Sequence, residues 1–285
     1  GNTSRGIYWC IKNKQRKLIL KMKFFDCFMY NNEDLILDVR LNSLDKYIDK
    51  FVIVEAKQNH QGKKKDSYNF EINNFKKFKD KIKYLKIENF PDQYSSWQRE
   101  NFQRNFITKG LLDANDDDFV IISDIDEIPN LEYLDKLVKS NKRYTAFKQK
   151  MIYYKFNLLN LTEVNWHGSR MCKFKDLKSP QWLRDQKVKK YPFYRVDKIK
   201  WQIVDNGGWH FSMIMTPTEI SEKIKSFAHT EFNTPEFTNV ENIEKKIKLK
   251  EDLFGRKFEF QKILDKNDLP KYITENEKKF SQFLI

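Results

Sequence analysis

Apolar positions along the chain fall into two patterns. Continuous apolar runs, "FFDCFMY" (24–30), "KFVIVEA" (50–56), "KIKYLKI" (81–87) and "FVIIS" (119–123), have the length and residue types of buried strands. Between them the apolar residues recur at helical spacing. Leu35, Ile36, Val39 and Leu44 share one face, and Phe102, Phe106, Ile107 and Leu111 share another across 97–112. Strand alternating with helix predicts an α/β fold with a mostly parallel central sheet flanked by helices. A polar, lysine-rich stretch from Gln58 to Asn69 is too long for a tight turn and reads as a functional loop.

The pattern continues with a helix over "PNLEYLDKLVK" (129–139), capped by Asn130 and turning Leu131, Leu134, Leu137 and Val138 inward. After residue 143 the texture changes to aromatic-rich strands, "TAFKQKMIYYKFNLL" and "KIKWQIV". In "TPTEISEKIKSF" (216–227), Thr216 and Glu219 form a capping box, Pro217 suits the first turn, and Ile220, Ile224 and Phe227 make the apolar stripe. Residues 240–285 read as lysine-rich amphipathic helices, a helical tail packed on the same domain. The expected division is a basic arm (1–23), one catalytic domain (24–239) and that extension (240–285).

Composition narrows the class. With 40% hydrophobic and 33% charged residues the chain is a globular protein, and no apolar run approaches the roughly 18 residues of a membrane span. The arm holds seven Lys/Arg and no acid, a solvated tail or a membrane-surface contact. Cys10, Cys27 and Cys172 are too scattered for a disulfide framework or a thiolate metal site. Sequons at Asn2 and Asn160 matter only in a secreted chain. A net charge of +14 suggests an acidic partner: nucleic acid, anionic lipid or a phosphorylated small molecule.

The chemistry concentrates at "FVIISDIDEIP" (119–129), where an apolar strand ends in Asp124, Asp126 and Glu127. Aspartates two apart on a strand point the same way, so Asp124 and Asp126 converge at the sheet's carboxyl end, where ligands of open α/β sheets sit. Two such charges are stabilised by a cation, and an oxygen-only pair suits Mg²⁺ or Mn²⁺, which in turn could hold a diphosphate. Glu127 is read as a helix-start charge. The haloacid-dehalogenase phosphatase motif also opens with Asp-x-Asp. It belongs near the start of its domain and carries Thr or Val where this chain has Ile128, so nucleotide-sugar transfer fits better.

Five blocks, "FFDCFMYNNEDLILDVRLNSLDKYIDKFVIVEA", "WQRENFQRN", "VIISDIDEIP", "GGWHFS" and "KIKSFAHTEFN", occur in an order that resembles glycosyltransferase family 17, the group containing the bisecting β-1,4-N-acetylglucosaminyltransferase of N-glycan processing. The resemblance runs from about Phe24 to Asn233. It implies a GT-A fold, a nucleotide-sugar donor such as UDP-GlcNAc, a glycan acceptor, a divalent metal, Mn²⁺ or Mg²⁺, and inversion at the anomeric carbon. Animal members carry a membrane anchor and stem that this sequence does not show. A cytoplasmic or membrane-peripheral location follows, or a Golgi-type lumen if an anchor precedes it.

On that footing Asp124 lies toward the donor ribose and Asp126 binds the metal bridging the diphosphate, with His229 at the position of the histidine that completes the metal site in many GT-A enzymes. Glu55, closing the second strand, is a candidate nucleoside contact. Arg99 and Arg104 face the diphosphate or pair with neighbouring acids such as Glu100. In "DNGGWHFS" (205–212), Gly207 and Gly208 permit close backbone approach to a ligand, Trp209 can stack on a sugar, and Asp205 or His210 can take the acceptor proton. "WHGSR" (166–170), containing His167, reads as a small-residue loop beneath the donor sugar. The competing class is a basic metal-dependent nuclease or nucleic-acid-binding protein that uses Lys63, Lys64, Lys65 and interleaved aromatics.

Overall fold

The computed structural model describes residues 22–285 apart from Phe193 and Phe227; the basic arm up to residue 21, with Cys10 and the Asn2 sequon, lies outside the described residues, as does Phe227 of the apolar stripe. The chain runs β1 (Phe24–Tyr30), α1 (Asp34–Leu44), β2 (Lys50–Ala56), β3 (Ile82–Ile87), α2 (Ser96–Phe106), β4 (Phe119–Ile122), β5 (Glu127–Pro129), α3 (Leu134–Leu137) and β6 (Tyr144–Tyr153). It continues with β7 (Leu158–Asn160), β8 (Trp166–Lys173), α4 (Pro180–Asp185), β9 (Trp201–Val204), β10 (Gly208–Ser212), α5 (Pro217–Ile224), α6 (Pro235–Thr238), α7 (Val240–Leu249), β11 (Phe260–Lys262) and α8 (Lys271–Glu275).

The four strands legible as apolar runs form the parallel half of the sheet, in the order β3-β2-β1-β4. Beyond β4 the order continues β8-β6-β7-β11, with β9 and β10 added beside β6 and β5 paired to β10. This half is mixed: β8 runs antiparallel to both β4 and β6, while β9 and β10 run parallel to β6. Because β8 reverses direction between two parallel strands, the ends of β4, β6 and β10 can all approach the segment that follows β4.

Side chains of β1 alternate between two cores, as the strand period requires. Phe24, Phe28 and Tyr30 pack with Leu37, Val39 and Leu41 of α1, a cluster that also takes in Ile273 and Phe280 from the far end of the chain. Phe25 and Cys27 face the other way, onto Ile107, Leu111 and Leu183. A third cluster packs α5 and α7 against Tyr153 and Tyr154. Among the described residues no helix is long and apolar enough to cross a membrane.

Local signals decide most boundaries. The Thr216–Glu219 capping box starts α5, and a second box, Ser95 with Gln98, starts α2. The helix expected over 97–112 becomes α2 followed by a tighter 3₁₀ turn at Ile107–Leu111, which buries Ile107 and Leu111. The helix expected over 129–139 shrinks to the single turn α3, which starts after Tyr133 with no side-chain cap, while the expected cap Asn130 donates its backbone N–H to the Gly207 carbonyl (2.9 Å) beside β5. Glu127 therefore opens a strand, β5, and its reading as a helix-start charge is corrected. The "WHGSR" segment is strand β8 rather than a loop. The tail contributes α7 and α8 together with β11, which joins the sheet edge against β7.

One charged pair lies inside the first core. Asp26 of β1 and Arg40 of α1 have fully buried side chains and form a bidentate ion pair at 2.6 and 2.7 Å. Replacing Asp26 with Asn should leave an uncompensated guanidinium in the core and cost about 3–5 kcal/mol in urea unfolding. The double variant Asp26→Leu/Arg40→Met should recover part of that loss, since no buried charge is then left unpaired.

Candidate active site

Arg40 links the core to the motif. Beyond Asp26 it donates to the carbonyls of Asp124 (3.0 Å), Ile125 (3.1 Å) and Glu127 (2.8 Å) and to the Ser123 hydroxyl (2.6 Å). These carbonyls turn toward the buried guanidinium while Ile125 packs into the core, which leaves the Asp124 and Asp126 carboxylates on the cleft side. Glu127 closes the turn. Its fully buried carboxylate accepts the Asp124 N–H (2.9 Å), the Trp166 indole N–H (2.9 Å) and the Arg184 guanidinium (2.8 Å).

The motif borders a cleft of about 680 Å³ at the carboxyl ends of β1, β2 and β4. The two aspartates meet opposite environments there. Asp124 is clamped between Arg104 (3.0 Å) and Arg184 (2.9 Å), one arginine on each oxygen. Burial opposes its ionisation, but Arg184 and then Arg104 outweigh it and hold the carboxyl well below the usual carboxylate range. Among the described residues Asp126 meets no arginine. The Lys223 ammonium from α5 stands 3.4 Å from one oxygen and His210 Nε2 3.7 Å from the other. Burial works against the Lys223 charge, yet Asp126, with Glu33 and Asp124 behind it, outweighs burial and the ammonium titrates above the ordinary lysine range. The His210 ring stacks on Trp166 at 4.7 Å between centroids, and among the described residues its buried Nδ1 finds no hydrogen-bond partner.

The other candidates separate into those at the cleft and those that support it. Glu55 is fully buried and accepts from Lys65 Nζ (2.6 Å), the Asn69 N–H (2.8 Å), the Phe70 N–H (3.0 Å) and the Tyr84 hydroxyl (2.7 Å). It ties the long loop to the sheet and is not among the residues that line the cleft. Arg99 holds the same loop by donating to the His60 carbonyl (3.0 Å), and so Gln58, Asn59 and His60 line the cleft. Arg104 lines the cleft but is bound to Glu100 (2.7 Å) as well as to Asp124.

In "DNGGWHFS" only His210 and Ser212 line the cleft. Gly207 and Gly208 do bring backbones together, but against protein: a Cβ on Gly208, whose φ is +122°, would collide with the Ile128 carbonyl, and one on Gly207 would meet the Lys148 backbone. Trp209 packs on the first core and donates to the Asp268 carbonyl (2.7 Å). Asp205 is exposed at the turn between β9 and β10, outside the cleft. His229 lines the cleft beside Trp97, its ring 4.7 Å from the indole and its Nδ1 2.8 Å from Glu231. Among the described residues no group of three His, Cys, Asp or Glu side chains gathers, so Asp124, Asp126 and His229 do not meet as one ligand set here. Burial pushes the His167 imidazole below its ordinary range, and it stays out of the cleft.

Three basic residues of the site were not anticipated. Arg184 sits in a segment, "PQWLRD", that reads as an ordinary surface helix, and Lys223 is one of many lysines. Arg40 did carry a signal, since it falls among the apolar positions of α1 while an aspartate interrupts the apolar run of β1.

The model of glycosyltransferase family 17 matches residues 7–285. The chain belongs to glycosyltransferase family 17. The beta-1,4-mannosyl-glycoprotein 4-beta-N-acetylglucosaminyltransferases of Homo sapiens and Rattus norvegicus are each 30% identical to this family-17 chain over 108 residues, 35% of the chain and 20% of the relative. The match thus spans about a fifth of the length of these curated relatives. Among solved structures, glucosyl-3-phosphoglycerate synthase from Mycobacterium tuberculosis is similar in two complexes. One, with Mn²⁺, UDP-glucose and glycerol 3-phosphate, has a TM-score of 0.28 and 10% identity over 50% of this chain and 48% of that one. The other, with Mn²⁺, UDP and phosphoglyceric acid, has a TM-score of 0.31 and 9% identity over 56% and 59%. Likenesses this slight carry no argument about the family-17 chain.

The Asp124 clamp has a pH signature. A carboxyl whose titration is lowered in the native state adds stability that is complete above its unfolded value of about 3.9 and is lost progressively as the pH falls from there through the lowered native value. Arg184→Gln should therefore cost on the order of 2 kcal/mol at pH 7, and the share of that cost carried by Asp124 should fade only once the pH is taken well below the usual carboxylate range, measured by urea unfolding across an acid series. A penalty that stays constant across that series would mean that Arg184 acts through its other contacts, the Glu127 carboxylate and the Gly168 carbonyl.

Proposed function

We propose that this chain is an inverting, divalent-cation-dependent glycosyltransferase of GT-A type that moves a sugar from a UDP-sugar, such as UDP-GlcNAc, to a glycan hydroxyl. The observation that carries the reading is Asp126. It is a cleft-facing carboxylate at the end of a parallel strand, kept free of the arginines that neutralise its neighbour Asp124. Family membership supports transfer chemistry, and the human and rat relatives, named for N-acetylglucosamine transfer, suggest the sugar.

A hard cation of the Mg²⁺ or Mn²⁺ kind is often held by one or two protein groups, with phosphate oxygens and water completing its shell. The donors at this cleft fit that description better than a protein-built cage. Asp126 and His210 would hold the ion, and when bound it neutralises charge developing on the departing diphosphate. The chain's own residues do the remaining positioning. Arg40 and Glu127 fix the turn, Arg104 and Arg184 prevent Asp124 from repelling an incoming phosphate, and Trp166 backs the His210 ring. An inverting displacement needs its base inside the cleft. Of the two groups marked for proton transfer, only His210 lines the cleft, and its place beside Asp126 supports a donor-side role for it.

A polyanion-binding groove is less well supported, because Glu33, Glu100, Asp124, Asp126 and Glu231 all line the same cleft.

UDP should raise the melting temperature in the presence of Mn²⁺ and fail to do so in chelator, by mass action on the native state. Asp126→Asn should abolish that shift and lower transfer from UDP-GlcNAc by about a hundredfold or more while the fold survives. Asp205→Asn should keep transfer within about threefold of wild type, as for other exposed substitutions away from a site. A large loss at Asp205 with an intact Mn²⁺-dependent shift would return it to the acceptor side.

A further inference from the structure

Among the described residues Lys223 is the lysine that reaches Asp126, and the proposed transfer does not by itself require it. It projects from the last turn of α5, a helix held by the capping box at Thr216 and by the fully buried Ile220 and Ile224 on either side of it. Its ammonium stands 3.4 Å from Asp126 Oδ2, and both side chains are largely withdrawn from solvent, at 22% and 14% exposure. Asp124, the neighbouring acid, has its charge answered by Arg104 and Arg184. Asp126 is thus the one aspartate of the motif left for a cation, and a cation of the chain's own already lies against it.

Like charges this close repel strongly where water is scarce. A divalent ion binding Asp126 alone must either expel the ammonium from a largely buried position or sit beside it. A nucleoside diphosphate changes the balance, because its anionic oxygens can take the lysine while Asp126 takes the ion. We propose that Lys223 is an internal competitor for Asp126, which makes divalent-cation binding conditional on the diphosphate and so couples the two ligands of the donor site. This rests on the proposed nucleotide-diphosphate reading of the cleft. The lysine acts through Asp126 as a positioning residue; it withholds the carboxylate from free metal and, once displaced, supplies a positive charge to the phosphates.

Coupling between two ligands is reciprocal, so the same factor must appear in the affinity of either one measured with and without the other. The test is direct binding. Mn²⁺ is titrated into the protein by the electron paramagnetic resonance signal of the free ion, with and without saturating UDP, for wild type, Lys223→Gln and Lys223→Arg. In wild type, UDP should tighten Mn²⁺ binding by about thirtyfold or more, within the usual range of allosteric coupling. Lys223→Gln keeps a polar contact to Asp126 but no charge. It should bind Mn²⁺ alone about tenfold more tightly than wild type and show correspondingly weaker coupling to UDP. Lys223→Arg should restore the wild-type pattern.

A role of Lys223 in stability alone predicts equal Mn²⁺ affinity in wild type and Lys223→Gln, and that result overturns the proposal while leaving the nucleotide-sugar reading intact. If neither protein binds Mn²⁺ with UDP present, the cation site itself is wrong and both readings fall. Should Lys223→Gln fold poorly, Lys223→Met is measured in its place. A Met variant that binds Mn²⁺ no tighter than wild type counts against the proposal in the same way.

Discussion

The site depends on one buried guanidinium. Arg40 is neutralised by Asp26 and also gathers three backbone carbonyls and a hydroxyl from the segment 123–127. Isolated charge in a core is costly, and each of these partners offsets part of that cost. The arrangement converts an expense of folding into a geometric constraint. With its carbonyls held from below, the turn has one way to present its side chains, and both aspartates face the cleft. Stability and geometry are separable here, since an apolar pair could replace the ion pair in the core but could not hold the carbonyls.

Above that foundation the site is an exercise in unequal treatment of like groups. Asp124 and Asp126 are two residues apart and chemically identical, yet one is pinned by two arginines and the other faces a lysine and an imidazole. The difference comes from tertiary structure. Arg104 reaches from α2 and Arg184 from α4, whereas Lys223 reaches from α5. One carboxylate has become part of the scaffold, and the other keeps an exchangeable partner. Glu55 and Arg99 belong to the scaffold too, and they serve the cleft by fixing the loop whose residues form its wall.

The parallel half of the fold was legible because its strands are continuous apolar runs, and the motif was legible as a gathering of carboxylates at the end of one such run, although two of its three acids, Asp124 and Glu127, are held by arginines of the chain itself. The caps at Thr216 and the inward faces of α1 were equally plain. The second half was harder to read for a physical reason. There the strands pair antiparallel as well as parallel, β8 carries polar residues inward to Glu127, and local pattern cannot say which distant strand lies next door. The glycine pair illustrates this. Gly207 and Gly208 announced a close approach, and the approach exists, but its partners are the backbones of β5 and β6 instead of a ligand. Asp205 looked chemical through its nearness in sequence to His210, yet it stays exposed at the turn between β9 and β10 while His210 enters the cleft. Lys223 and Arg184 left no trace, because a basic residue on an amphipathic helix is indistinguishable from solvent-facing charge until its neighbours are known.

The burial of Ile273 and Phe280 in the same core as β1 and α1 bears on how the protein is made. Phe280 packs edge-on to Phe156 and Tyr272, and α8 lies against α1, so these late residues complete a core begun at Phe24. On a ribosome the parallel strands emerge first and must wait, with the face of α1 partly uncovered, until the chain has been made as far as Phe280. At about 5–20 residues per second that interval is on the order of tens of seconds, long compared with collapse and strand pairing. The apolar strands that make the N-terminal half easiest to read are also the surfaces a chaperone would have to shield for longest.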